Sequence, residues 1–494
     1  MDDKILSIYL DDRLPTPLYI QLFVQLKSLI AEGVLKPNEK LPPIRKLAQR
    51  LGINTITVVH AYKKLESEGL AYSVVGSGTY VASPSRYEPQ LQRQEEDEHL
   101  QMMEKGQVQV SKDAINFAST TPTPDLFPVD SFKILINKVL DRDKGQAFGY
   151  HQIQGYQPLR ESICHYLEKF SIKVLTDDVH VISGAQQGID IISKALIEYG
   201  DCVFVESPTY RGALEAFKSR GARIVEIPIQ EDGIDLEKLE EMLSVYHPKF
   251  IYVMPYFQNP TGYSYSYSKK EQILQMARQH KTFIVEDDSL SELSFTKEQP
   301  LPLKAFDAYQ VVIYIKSFSK IFMPGLRLGF MVVPQALRSR VISAKHTTDI
   351  STSGLIQRTF DLYLRENIWQ EHIEYMRQKY KKRYETFLKA VKESFPVSVK
   401  YKAPGGGLHV WFELPPGYND QEVYARCLKK GVLIAPGSLF YHQTHDTRHF
   451  RLSFAAVNSE KIRDGIRAMG EVLHQYVEQE ATLAPSSQEY SPLL

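Results

Sequence analysis

Cysteine is scarce in this 494-residue chain: Cys164, Cys202 and Cys427 are the only three. They lie far apart and form no Cys-x-x-Cys pair, so neither a disulfide framework nor a zinc site is expected, and a reducing cytoplasm fits. No apolar run approaches the roughly 18 residues that a membrane-spanning helix needs. The start, Met1-Asp2-Asp3-Lys4, is acidic and lacks an apolar signal core. No internal repeat is evident. Neither sign of charge is in excess, since 59 Lys and Arg balance 59 Asp and Glu. What remains is a globular composition, 43% hydrophobic and 24% charged, in a chain too long for one ordinary core.

The balanced total hides an asymmetry. Residues 13–83 carry nine basic against four acidic side chains, a net of +5, and residues 84–113 carry four against seven, a net of −3. Chance fluctuation produces such differences too, but a small basic module followed by a polar acidic stretch points to a nucleic-acid binder on a linker. From Pro17, Leu18, Leu22, Leu26, Leu29 and Ile30 recur at helical steps, and Gly33 and Pro37 end the pattern. A second helix is expected from Pro43 to about Leu51, with Gly52 as the turn. Asn54 is placed to cap a third helix that runs to about Glu68, with Val58, Tyr62 and Leu65 inward. Tyr72–Val75 and Thr79–Ala82 read as strands joined by Gly76-Ser77-Gly78. Three helices and a hairpin make a winged helix-turn-helix. Its third helix would enter a major groove, with Asn54, Thr55, Thr57, His60 and Lys63 facing DNA and the glycine tip of the wing along the backbone.

The segments PLYIQL, LPPIRKLAQRLGINTITVVHAYKKLESEGL and GSGTYV, in this order over residues 15–83, resemble the DNA-binding domain of the GntR superfamily. The resemblance implies DNA contacts from Arg45, Thr57 and the wing at Gly76, Ser77 and Gly78. This chain has Pro43 where the family often has Ser, and Asn54-Thr55 where it often has Ser-Arg, so the base contact made by that Arg is missing.

Beyond Ile115, short Val-, Ile- and Phe-rich runs alternate with amphipathic stretches, which argues an α/β domain with a mostly parallel sheet. The runs are Val179–Ile182, Cys202–Val205, Ile224–Ile227, Phe250–Met254, Thr282–Val285 and Val311–Ile315. Ligands bind where such strands end. Ser183-Gly184-Ala185-Gln186 follows the first run and would turn amide N–H groups toward an anion. Gln258-Asn259-Pro260-Thr261-Gly262 follows the fourth, Glu286-Asp287-Asp288 the fifth, and Lys316-Ser317-Phe318-Ser319-Lys320 with Arg327 the last. Each alone is an ordinary turn or a buried polar group that needs a partner. Together they supply an amine, an acid and a phosphate cradle, the needs of pyridoxal phosphate, with Tyr210 as a face for its ring.

GYHQIQGYQPLR, SGAQQG, SPTYRG, QNPTG, VEDD, SFSKIFMPGLRLG and FRLSF, over about residues 115–475, resemble fold-type I aminotransferases. That resemblance implies a Schiff base at Lys320, Asp287 on the pyridine nitrogen, Asn259 on the ring oxygen and Tyr210 against the ring. It implies Gly184, Ala185, Gln186, Ser317, Ser319 and Arg327 around the phosphate, Tyr150 reaching the neighbouring subunit's phosphate, and Arg451 on a ligand carboxylate. Family members commonly carry a Tyr two or three positions after the aspartate; here Ser289 and Leu290 stand there. A GntR-type winged helix joined to such a domain is the architecture of the MocR subfamily, which the chain resembles over nearly its whole length. The implied protein is a homodimeric regulator that binds double-stranded DNA at two half-sites. It senses pyridoxal phosphate or a small amino compound through Lys320. The alternative is an active aminotransferase with an accessory DNA-binding domain. The expected organisation is residues 1–83 as winged helix, 84–113 as polar linker, 114–480 as cofactor domain and 481–494 as a flexible tail.

Overall fold

The computed structural model describes residues 8, 10, 17–31, 34–36, 39–67, 70–74, 78–81, 114–296, 301–443 and 448–481. Gly76, Ser77, the expected linker at 84–113 and residues 482–494 lie outside the described residues. The chain forms two compact units, Met1–Gln101 and Met102–Leu494.

The first unit contains α1 (Leu18–Ala31), α2 (Ile44–Leu51), α3 (Thr55–Ser67), β1 (Ala71–Val74) and β2 (Gly78–Val81). Leu22, Leu26, Leu47, Val58, Tyr62 and Leu65 are buried in one core, so the helical spacing seen in the sequence is the spacing of the packed face. Gly52, at φ +67°, takes the left-handed turn that ends α2. The Asn54 carboxamide oxygen accepts the Ile56 N–H at 2.9 Å and so caps α3. β1 and β2 pair antiparallel with Tyr72 opposite Tyr80. Both strands begin one residue earlier than expected, because Ala71 and Val81 are the pair buried in the core.

The second unit contains β3 (Ile115–Asn116), β4 (Val179–Ile182), β5 (Cys202–Ser207), β6 (Arg223–Gln230), β7 (Gly233–Ile234), β8 (Phe250–Val253), β9 (Phe283–Asp288), β10 (Val312–Ser317), β11 (Gly329–Val332), β12 (Lys400–Tyr401), β13 (His409–Glu413), β14 (Val432–Leu433), β15 (Ala435–Pro436) and β16 (His449–Ser453). Eight of them form one sheet in the order β4-β11-β10-β9-β8-β5-β6-β7. The five strands from β10 to β6 run parallel, and β11 returns antiparallel between β10 and β4. β4, β8 and β10 are buried at every residue, which is why they read as unbroken apolar runs rather than alternating ones. A smaller antiparallel sheet has the order β12-β13-β16-β15.

β9 and β10 extend past their apolar runs, so Glu286–Asp288 and Lys316–Ser317 lie inside the sheet rather than after it. Burying these charges is tolerated because they are paired. The Lys316 ammonium lies 2.6 Å from Glu292 and 3.2 Å from Asp288. Asp288 accepts hydroxyl protons from Tyr314 and Ser291, each at 2.7 Å. Glu286 accepts the backbone N–H groups of Leu303 and Lys304 at 2.7 and 2.8 Å.

Candidate functional site

β4 ends at Ile182; after Ser183, Gly184 turns the chain at φ +88°, ψ 167° into the helix Ala185–Leu196. That backbone conformation is open essentially to glycine alone. A Cβ on Gly184 would lie 2.7 Å from the Arg327 guanidinium, so the glycine also makes room for that cation. Arg327 donates to the Ser183 carbonyl at 2.8 Å and to the Ser319 hydroxyl at 3.5 Å. Ser317 accepts the Ser319 N–H at 3.2 Å. These turns thus bring together amide N–H groups at a helix N-terminus, a guanidinium and two hydroxyls, which is the chemistry of a phosphate cradle. Gln186 is exposed and donates to the Gly212 carbonyl at 2.9 Å, while its oxygen accepts from the Tyr210 hydroxyl at 3.1 Å.

Lys320 follows β10 by three residues and is half-buried. Burial, aided by the positive charges of Arg451 and Arg327, pushes its amine down to about 8. Asp287 is buried on β9, where one carboxylate oxygen accepts the Tyr252 hydroxyl at 2.7 Å. The other oxygen, Oδ1, is buried with no hydrogen-bond partner among the described residues. Burial pushes Asp287 up to about 6 against the lowering effect of that tyrosine. Asn259 accepts from the Arg451 guanidinium at 2.6 Å, and Arg451 also donates to the Ala118 carbonyl at 2.5 Å. The Phe440 ring lies 4.9 Å beneath the guanidinium.

The fold therefore brings Gly184, Ala185, Gln186, Tyr210, Asn259, Asp287, Ser317, Ser319, Lys320, Arg327 and Arg451 to neighbouring strand ends and turns. Tyr150 is 86% exposed and does not join them within this chain. The residues fit pyridoxal phosphate on two structural grounds. The orphaned Asp287 oxygen lacks the N–H that a pyridinium would bring, and the Gly184–Arg327 cradle is space that a Cβ would fill. At 289 and 290 there is no phenol: Ser289 is half-buried and Leu290 is buried.

Sequence reasoning missed Tyr252. Its signal was a lone hydroxyl in the apolar run Phe250–Val253, one strand over from Asp287. It also missed Gly212, where a Cβ would lie 2.6 Å from the Tyr210 ring and hydroxyl.

In the first unit, Arg45, Asn54, Thr55, His60, Lys63 and Gly78 are exposed and Thr57 is half-buried. His60 meets the Tyr19 ring edge-on, with centroids 5.7 Å apart. Lys64 is half-buried, with its ammonium 5.2 Å over the Phe23 ring.

Fold and site together define a fold-type I pyridoxal-phosphate domain in one chain with a winged helix-turn-helix. Residues 112–469 match aminotransferase class I and II, and residues 18–81 match the bacterial regulatory proteins of the gntR family. The chain belongs to the aminotransferase class I and II family and carries a gntR-family module before that domain. It is 35% identical to a 2-aminoadipate transaminase of Thermus thermophilus over 365 residues, 73% of this chain and 90% of that one. It is 30% identical to YdfD of Bacillus subtilis, named an uncharacterized HTH-type transcriptional regulator, over 465 residues, 92% of this chain and 96% of that one. Among solved structures it is similar to the alpha-aminoadipate aminotransferase LysN of Thermus thermophilus complexed with N-(5'-phosphopyridoxyl)-L-leucine. That match has a TM-score of 0.70 and 33% identity and covers 76% of this chain and 98% of that one.

Proposed function

We infer that the protein is a MocR-type transcriptional regulator, a cytoplasmic homodimer that binds an operator with two half-sites and senses pyridoxal phosphate or a small amino compound at Lys320. The observation that carries this reading is the pairing of a gntR-type module with a cofactor site whose anchoring groups are present but which has Ser289 and Leu290 where family members commonly carry the ring-oxygen phenol. The kinship with YdfD along both modules supports it.

Bound pyridoxal phosphate supplies an aldehyde for amines and a ring that withdraws electrons. The chain's own groups do the rest. Arg327, Ser319 and the Gly184–Ala185 amides hold the phosphate. Asp287 keeps a proton on the ring nitrogen, and Tyr252 fixes its carboxylate. Lys320, lowered to about 8 by burial and then by the charges of Arg451 and Arg327, offers its neutral amine more readily than an ordinary lysine does. Arg451, steadied by Asn259 and Ala118, receives a ligand carboxylate. A ligand amine and carboxylate that met Lys320 and Arg451 would shift the domain arrangement only by contacting these groups differently in the two arrangements. Tyr150, exposed in the single chain, is available to a partner's site.

A second reading, a transaminase with an accessory DNA-binding module, draws on the 35% identity to a named transaminase. Footprinting on the DNA upstream of its own gene, with and without pyridoxal phosphate, tests the first reading. A cofactor-dependent footprint that Lys320→Ala abolishes is expected. No specific footprint, together with steady turnover of an amino donor and an oxo acid, overturns it in favour of the second.

A further inference from the structure

Glu206 stands near the end of β5 and is fully buried. A carboxylate there is costly unless donors meet it. Three do, and all come from the loop 254–265 that follows β8. Glu206 Oε2 accepts the Met254 N–H at 3.1 Å and the Gln258 side-chain amide at 3.2 Å. Its Oε1 accepts the Tyr265 hydroxyl at 2.7 Å. One carboxylate thus holds the start, the middle and the end of one loop. Burial pushes Glu206 up to about 7, although these three donors favour its ionised form.

The middle tie reaches furthest. Gln258 is fully buried, and its Nε2 also donates to the Pro208 carbonyl at 2.7 Å. Its Oε1 accepts the Thr261 N–H at 3.0 Å and the Thr261 hydroxyl at 2.7 Å. Donors meet only the oxygen and acceptors only the nitrogen, so the amide has one orientation. Through it the turn that carries Asn259 is fastened to Pro208, two residues before Tyr210. The end tie has space made for it, since a Cβ on Gly233 would lie 2.8 Å from the Tyr265 ring. Asn259 follows Gln258 directly. Its oxygen accepts from Arg451 at 2.6 Å, so its NH2 is the edge left to donate.

We propose that Glu206 is a positioning residue for the cofactor: by drawing three points of the loop 254–265 onto one buried carboxylate, it sets where the Asn259 NH2 meets the ring oxygen. This rests on the reading that pyridoxal phosphate sits at Lys320 with its ring oxygen toward Asn259.

Two substitutions separate reach from charge. Glu206→Gln keeps the reach and loses the charge; its oxygen can take the Met254 and Gln258 donors while its NH2 faces the Tyr265 oxygen. Glu206→Asp keeps the charge but is shorter by a methylene. Full-length wild type, both variants and their combinations with Asn259→Ala would be titrated with pyridoxal phosphate at about pH 8, above the Glu206 value. Visible absorbance gives Kd, and urea unfolding of the cofactor-free forms records stability apart from binding. Glu206→Asp and Asn259→Ala are each expected to weaken binding about tenfold, the size of one lost hydrogen bond to a charged oxygen. Added to Asn259→Ala, Glu206→Asp should cost less than about twofold more, because two changes acting through one group do not add. Glu206→Gln should stay within about twofold of wild type, its hydrogen bonds being kept. Tyr265→Phe cuts only the end tie and serves if the Asp variant does not fold; about threefold weaker binding is expected, again absent beside Asn259→Ala. Wild-type affinity in the Asp and Phe variants, or in Asn259→Ala, overturns the proposal. So do losses that multiply to about a hundredfold in the Asp combination, which mark a role independent of Asn259. A Gln variant as weak as the Asp variant also overturns it, assigning the effect to the charge that Glu206 sets near Asp287. Wild-type protein that takes up no cofactor defeats the cofactor reading itself, and this inference with it.

Discussion

Substituting Gly184→Ala perturbs the phosphate cradle and little else. The residue sits at φ +88°, ψ 167°, a region that costs a side-chain-bearing residue about 1–3 kcal/mol. That strain acts on the folded domain whether or not the cofactor is bound. The added Cβ would also lie 2.7 Å from the Arg327 guanidinium. A guanidinium is the far end of a flexible side chain, so it moves aside at small cost to folding. Once moved, it no longer points where a phosphate would sit. Loss of one charge-assisted hydrogen bond is worth about 1.5–3 kcal/mol, or roughly 10- to 150-fold in Kd. Urea unfolding of the cofactor-free protein and an absorbance titration with pyridoxal phosphate measure the two effects separately. A variant that is modestly less stable and binds cofactor 10- to 150-fold more weakly is expected. Wild-type affinity in Gly184→Ala would refute the assignment of this turn as the cradle.

Other consequences can be checked as directly. Arg451→Ala should retain the cofactor's visible band but lose the spectral response to aminooxyacetate relative to methoxyamine; an unchanged ratio would place the carboxylate site elsewhere. Lys320, depressed to about 8, reacts as the neutral amine, so cofactor uptake by the cofactor-free protein should quicken as pH rises through about 8 and then level off. A rate still climbing toward the ordinary lysine value, about 10.4, would contradict its burial among cations. Lacking a phenol at 289 or 290, the protein should turn over amino donors well below the ~1–10³ per second of ordinary enzymes, since one positioned donor is worth about 10²–10³ in rate; steady-state assay at ordinary rates would remove this point. Thr55→Ala at the exposed start of α3 should relax sequence preference in footprinting, whereas Arg45→Ala should weaken all sites alike if it meets phosphate.

Much of the molecule was legible before any coordinates. The first unit is built from local contacts: a cap at Asn54, a left-handed turn at Gly52 and helical spacing of Leu22, Leu26, Val58 and Leu65 are short-range features that a sequence records directly. The chemistry-bearing turns of the large domain were legible for a related reason. Each lies immediately after a buried strand, and a run such as Val179–Ile182 followed by Ser183-Gly184 displays strand, turn and helix start in order. What the sequence alone determined is therefore the set of chemical groups and the elements that carry them: Lys320, Asp287, Asn259 and Arg327 at strand ends, and Thr55 and Arg45 on short helices.

Which groups meet was decided by tertiary structure. Arg451 donates to Asn259 across 192 residues of chain, and Arg327 to the Ser183 carbonyl across 144. Nothing local in either segment encodes the other. The strand ends at Glu286–Asp288 and Lys316–Ser317 were read too short for the same reason. Charged residues end an apolar run in the sequence, but in the sheet Lys316 and Asp288 stand in register on adjacent strands, and pairing makes their burial tolerable. Tyr252 looked like an ordinary member of an apolar strand until parallel pairing put it beside Asp287. Hydrogen bonds between side chains have short range and strict direction, so they are set only when the fold brings donor and acceptor atoms of distant segments within about 3 Å of one another.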